Sequence, residues 1–403
     1  MSRNSPLALR LNTRAMVKTP HTLLDPMREY GDLVWLSNPN RWLVLSRSAA
    51  LEVLRDPNLH VWTRRNSVER LQDRFDMDLS AVLKALDWIP FMHDGPRHAA
   101  LRSAFARLLG SIGTDYLKAY EQTSSELLEV MQESGSGDFA AGYADRLHVE
   151  VFGHLAGVPP SERHAFHCAT ALDGTVQAAS TVAKMQKACA QLDSVLERLQ
   201  DLSKTETTSD FMDQVGAALI QSGLEDTAVS RSEFLLAFLL LGGDTQAGAL
   251  TVGLAHLLDS NGGTLSLGSD DCQLPDKHCL VDEMIRISTP VQTSARYATK
   301  DTVISGQHIA KGDAVQLSLQ AANFDPLAFE CPHAVQSGRP KNVAFGGGRH
   351  LCSAMPLVRK TLAITLSHLE TLGSIEALPG RTLAEDLTVR RFAHLPIRIP
   401  SRL

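Results

Sequence analysis

The chain has 403 residues, enough to bury one large core or two ordinary ones, and at 44% hydrophobic and 21% charged its composition is that of an ordinary soluble protein. A formal net charge of -6 carries no polyanion-binding signature, so no nucleic-acid partner is expected. The N-terminal stretch lacks an apolar core of signal length and no apolar run approaches the roughly 20 residues that cross a bilayer, which predicts a cytoplasmic protein without a membrane anchor.

In chain order, residues 31–46, "GDLVWLSNPNRWLVLS", hold two apolar runs around "NPN" and predict a β-hairpin. From there to residue 222 the pattern is helical: 48–56, 97–109, 114–134, 142–156, 161–172, 176–203 and 209–222 all space apolar residues by three and four. A helix capped by Ser230 or Ser232 should run from about Glu233 to Asp259. It is apolar nearly all round over "FLLAFLLLGG", which marks it as central and buried. The stretch 260–275 is rich in glycine and serine and predicts a loop. A helix over 279–288 should stop before Thr289-Pro290. Residues 301–318 alternate β-branched and polar positions between glycines, a strand pattern. A last helix begins at Cys352, with Gly373 as its stop. The expectation is one mainly α domain over 1–403, with β-rich portions near 31–46, 296–318 and 385–403.

Six cysteines, at 168, 189, 272, 279, 331 and 352, include no pair at metal-site spacing, and Cys272 and Cys279 around His278 lack a second ligand pair. Most should be packed free thiols. Cys352 differs, because it closes "FGGGRHLC" at 345–352. A phosphate loop would need Lys followed by Ser or Thr, and neither is there. A tight surface loop before a helix is one reading. The sharper one places a thiolate at a helix N-terminus, favoured by the unpaired N–H groups and the dipole, under a flat cofactor that the glycines let the backbone approach. Haem iron with a cysteine ligand fits that description.

The stretch resembles the haem-binding signature of the cytochrome P450 family, with Phe345, Gly348 and Cys352 matching and Arg359 as the basic residue seven positions on. The resemblance extends along nearly the whole chain. "DEMIRIS" supplies the family's Glu-x-x-Arg pair as Glu283 and Arg286, one helical turn apart. It implies that Arg296, His98, Arg102 and His350 bind the haem propionates. In "LLLGGDTQAGA" it makes Asp244 the proton-relaying acid and Thr245 the hydroxyl that bonds dioxygen, with Gly242-Gly243 suggesting a local opening of the helix. Leu241 and Gln246 depart from the usual residues there, as do Ser353-Ala354 after the cysteine.

What the resemblance implies is a single-domain cytochrome P450 fold, mainly α with a small β region, holding haem b (iron protoporphyrin IX) between the long central helix and the cysteine-ligand loop. The expected activity is a monooxygenase that inserts one atom of O2 into a small, mostly apolar substrate by hydroxylation or epoxidation, in bacterial secondary metabolism or catabolism. Electrons should come from NAD(P)H through a separate ferredoxin or flavodoxin type partner and its reductase, docking near Arg349, Arg359 and Lys360 on a monomer. Trp88, Phe91, Leu241, Gln292, Thr293 and Phe392 are the implied substrate-pocket residues. Oxidative coupling or desaturation would use the same motifs. A peroxygenase would usually carry Arg-Pro in place of the acid–Thr pair, and a non-catalytic haem-binding module would be expected to lose Cys352.

Overall fold

The computed structural model describes residues 13–168, 171–176, 181–204, 209–267 and 274–400. Contacts within the chain gather into two compact units. One comprises the chain up to Trp62 with Leu274–Cys352 and Glu385–Arg390; the other takes the described residues from Thr63 to 267, with Ser353–Ala384 and the segment from Arg391 on.

The first unit is built on a five-stranded sheet. The hairpin is Leu33–Ser37 against Asn40–Val44, with Trp35 opposite Trp42 and their rings 5.2 Å apart. Such a cross-strand aromatic pair pins the register. Asn40–Val44 runs parallel to Ala314–Ser318, which pairs antiparallel with Thr293–Ala298, and that strand pairs with Leu59–Val61. Trp42, Val44, Val315 and Leu317 share a core with Ala50, Val53 and Leu54 of the helix Arg47–Arg55. Ser46 caps that helix, its hydroxyl accepting from the Ala49 N–H. The helix Lys277–Ser288 starts at Asp276, which accepts from the His278 and Cys279 N–H groups, and ends at left-handed Thr289 before Pro290. Cys279 therefore sits in a cap, while Cys272 lies outside the described residues.

The second unit is mainly helical. Its central helix is Ala228–Ser260, five residues longer at the start than expected. The cap is Thr227 rather than Ser230 or Ser232, because Thr227 and Ser230 exchange side-chain bonds to each other's backbone N–H in a capping box. This helix has the length and hydropathy of a bilayer span, yet 78% of its most apolar window is buried. The helices expected over 97–109 and 114–134 are one, Gly95–Glu133, entered through Pro96 in its first turn. Its Ser124 and Tyr120 join Tyr143, Thr365 and His368 in a buried chain of hydroxyl bonds of 2.6–2.9 Å. That chain fixes the C-terminal helix Met355–Thr371 against it.

Three expectations need correction. The pattern over 161–172 is not one helix; it breaks into Pro160–Arg163, the 3-10 turn His164–Phe166 and Ala171–Val176. The helix expected from 176 runs Val182–Lys204, residues 177–180 lying outside the described part. The loop expected over 260–275 contains a strand, Thr264–Ser266, in a four-stranded sheet with Ser136–Asp138, Ser374–Ala377 and Pro396–Arg398. Strands of three or four residues carry too few alternations to show in a sequence pattern.

Candidate active site

The loop 345–352 belongs to the first unit and is closed by its own backbone. The Cys352 N–H donates to the Phe345 carbonyl at 3.0 Å, and Gly346 N–H to Val343 at 2.9 Å. Gly348 adopts φ +60°, and a β-carbon there would lie 2.1 Å from the Leu54 carbonyl oxygen. Only glycine fits both demands. The expectation that the glycines clear space for a flat cofactor is thus incomplete, since Gly348 answers to the helix Arg47–Arg55. Arg349 is half-buried, donating to the Asp56 and Leu59 carbonyls at 3.2 and 2.7 Å. The Cys352 thiol is exposed and in no disulfide. It does not sit in a first helical turn as expected, because the following helix begins only at Met355. Pro356 then occupies the first turn, where its missing N–H costs nothing.

Behind the loop, Glu283 and Arg286 are buried and form a bidentate pair, with Arg286 Nε and Nη2 donating at 2.6 and 2.8 Å. Arg286 also donates to the carbonyls of Asn323, Pro332 and Ala334, and its guanidinium lies 5.1 Å from the Phe329 ring. Every donor of a buried charge must be met, and this arrangement meets them. Arg339 adds a second cation to Glu283 at 3.0 Å, a member the sequence did not suggest. Asn323 passes the order on. Its side chain accepts from the Val343 N–H at 2.8 Å, two residues ahead of Phe345. In the same unit Arg296 is 6% exposed, one nitrogen donating to Ser294 Oγ and the Ala295 carbonyl, and His350 is half-buried.

In the second unit the central helix stays continuous through Gly242-Gly243, so the expected local opening is absent. Gly242 has another cause: a β-carbon there would meet the His148 ring at 2.2 Å. The Thr245 hydroxyl donates to the Leu241 carbonyl at 2.8 Å. Asp244 is buried, with its Oδ1 3.5 Å from Arg391 Nε, and Arg391 in turn reaches both oxygens of Asp145 at 3.1 and 3.2 Å. Burial pushes the Asp145 carboxyl above its ordinary range while Arg391 pulls it back. A cavity of about 10 Å³, room for one water, lies among Asp145, His167, Cys168 and Asp244. His98, 6% exposed, and Arg102 sit one turn apart on Gly95–Glu133.

A family model described as Cytochrome P450 matches residues 274–369. The chain is 29% identical to the cytochrome P450 monooxygenase PikC of Streptomyces venezuelae, over 79% of this chain and 74% of that one. It is also 29% identical to the nocardicin C N-oxygenase of Nocardia uniformis subsp. tsuyamanensis, over 72% of each. The crystal structure of CalO2 superposes with a TM-score of 0.82 at 18% identity, over 97% of this chain and 98% of that one. The chain is similar to the cytochrome P450 family along most of its length. It has the P450 fold, it is an oxidoreductase of the monooxygenase type, and the family implies haem iron and O2. The donors of the first unit suit that cofactor: the exposed thiol that ends the glycine loop for iron, with a guanidinium and an imidazole able to meet carboxylates.

The residues expected to line the substrate pocket are placed unevenly. Trp88 is 6% exposed, its indole N–H donates to Glu233 at 2.7 Å and Arg97 lies 4.8 Å over its ring. Phe91 is 41% exposed. Leu241 is half-buried on the central helix, and Phe392 is half-buried with its N–H on Thr251 Oγ1 at 3.1 Å. In the first unit Gln292 is buried, its carbonyl accepting from the Gln320 N–H, and Thr293 pairs across strands with Ser318.

Proposed function

We propose that this P450 hydroxylates or epoxidises a small, mostly apolar organic molecule, in the cytoplasm of a bacterium and within secondary metabolism or catabolism. The observation that carries the reading is the loop 345–352, which its own backbone closes around one exposed, unoxidised thiol. In this reading Cys352 holds the iron, and Phe345 and Gly348 shape the loop around it. When bound, the haem supplies the thiolate-ligated iron that activates O2.

In the first unit Arg296 and His350 meet the haem carboxylates, and Glu283 with Arg286 locks the core behind the loop. In the second unit His98 and Arg102 serve carboxylates, Asp244 holds and passes protons, and Thr245 turns its hydroxyl from the Leu241 carbonyl toward oxygen. The nocardicin C N-oxygenase relative supports a secondary-metabolic role. Electrons come from NAD(P)H through a separate ferredoxin or flavodoxin type protein, with Arg359 and Lys360 offering charge for docking.

The test is the absorption spectrum of the reduced, CO-treated protein. A strongly red-shifted Soret band is expected in the wild type and its loss in Cys352→Ala. A folded, haem-loaded wild type without that band, or an unchanged band in Cys352→Ala, would sink the proposal. Compounds that shift the ferric spectrum from low to high spin then identify the substrate class.

A further inference from the structure

Three side chains that take no part in the site above converge in the first unit. His21 lies in the helical turn Pro20–Leu24, Asp25 follows that turn, and His333 comes from the loop before Ala334; their ligand atoms all lie within 4.8 Å of one another. Four residues separate His21 from Asp25, so one helical turn brings them to one side. The two imidazoles meet edge to face with centroids 4.7 Å apart, and Phe324 packs on both, at 4.1 Å from His21 and 5.0 Å from His333.

The cluster has an unmet polar atom. His21 Nδ1 is buried and makes no hydrogen bond, while Nε2 lies 3.3 Å from the amide nitrogen of Gln320. Gln320 is 1% exposed, and its Oε1 also lacks a partner. Exchanging the two ends of that amide lets Oε1 accept from an Nε2–H. The imidazole is then held in the tautomer that leaves the Nδ1 lone pair bare. A buried oxygen orienting one ring nitrogen while the other donates outward is the usual support of a metal-bound histidine.

We propose that His21, Asp25 and His333 bind a divalent transition-metal cation of the zinc class. Two imidazoles and one carboxylate suit zinc, copper, nickel or cobalt, with water completing the sphere. The surroundings decide against calcium and magnesium. Arg28 donates from Nε to Asp25 Oδ1 at 3.3 Å and from its other nitrogens to the Leu45 and Ala321 carbonyls, and Arg390 adds further positive charge. Calcium and magnesium favour oxygen ligands, of which this cluster offers one carboxylate, whereas a zinc-class ion gains from bonding two imidazole nitrogens and so better offsets that positive charge. Asp25 and His333 are exposed and leave the site open to a cation. A bound metal would staple the Pro20–Leu24 turn to the loop whose Pro332 and Ala334 carbonyls receive Arg286.

The test uses the full-length, haem-loaded protein after EDTA treatment, titrated with Zn2+ and separately with Co2+. Saturable one-to-one binding, a visible Co2+ ligand-field spectrum and a Zn2+-dependent rise in melting temperature are expected. His333→Ala and Asp25→Asn, both at exposed positions, should each weaken Zn2+ binding by at least about tenfold and leave the metal-free melting temperature and the CO spectrum unchanged. Cys331→Ser should bind as wild type does. Unaltered affinity in His333→Ala, loss of binding in Cys331→Ser, Mg2+ binding as tightly as Zn2+, or stabilisation by inorganic phosphate in place of Zn2+ would each overturn the proposal.

Discussion

The ring of His148 occupies the space that a β-carbon on Gly242 would need, 2.2 Å away at Cε1. Its Nε2 meets the Phe238 carbonyl of the same central helix at 3.2 Å, and its Nδ1 meets the Tyr116 hydroxyl at 3.1 Å. At a solvent-facing helix position Gly→Ala stabilises by about 1 kcal/mol. Here the sign reverses, because a buried ring held at both nitrogens cannot step aside. Gly242→Ala should cost about 1–3 kcal/mol, read by urea unfolding, and His148→Ala in the same chain should restore part of it. A stabilised Gly242→Ala would remove the steric account.

His148 also sets a pH dependence. Burial holds its pKa at about 4 against an ordinary 6.5, so the unfolded chain takes up a proton that the folded chain refuses. The folded pKa is the lower one, so its contribution is present above about 6.5 and is lost as pH falls toward 4. The difference corresponds to about 3 kcal/mol. His148→Gln keeps an acceptor for Tyr116 and a donor for Phe238 without titrating. Between pH 7 and 4.5 its stability should fall less steeply than that of the wild type, and parallel curves would show that His148 carries none of the dependence.

Glu283 balances two guanidiniums, Arg286 and Arg339. Removing one partner of a buried pair leaves a charge without compensation, at about 3–5 kcal/mol. Glu283→Gln should therefore lower stability by that amount and reduce haem retention, since Asn323 and Val343 tie this cluster to the cysteine loop. Arg286→Lys should do nearly as much harm, because an ammonium cannot serve a bidentate carboxylate and three carbonyls together. Full stability in Arg286→Lys would reduce the cluster to a simple ion pair.

The parts legible in the sequence were those whose cause is local. Trp35 and Trp42 flank a turn signal, the central helix is apolar nearly all round ahead of Gly242, and Glu283 and Arg286 stand one turn apart. The cysteine loop was recognisable by motif, although the reason for Gly348 was not, since the crowding oxygen belongs to Leu54. Arg339 and Arg391 escaped notice because each finds its carboxylate through the fold. The bond from the Trp88 indole to Glu233 is equally non-local, so the apolar stretch around it does not show it.

Arg391 stands between two carboxylates, Asp244 and Asp145, and is 6% exposed. Its removal should leave both acids in a poorly solvated place with no cation, at about 3–5 kcal/mol near neutral pH. Burial already raises the Asp145 pKa, and loss of the guanidinium, the main force pulling it down, raises it further. A carboxyl whose folded pKa lies above its unfolded value loses stability as pH rises through that range. Arg391→Ala should therefore lose more stability at pH 8 than at pH 5, because Asp145 binds its proton more readily once the guanidinium is gone. Asp145→Asn added to Arg391→Ala should remove part of the damage at pH 8. Urea midpoints at the two pH values decide it: an Arg391→Ala deficit equal at pH 5 and pH 8 would mean that the arginine contributes packing rather than charge.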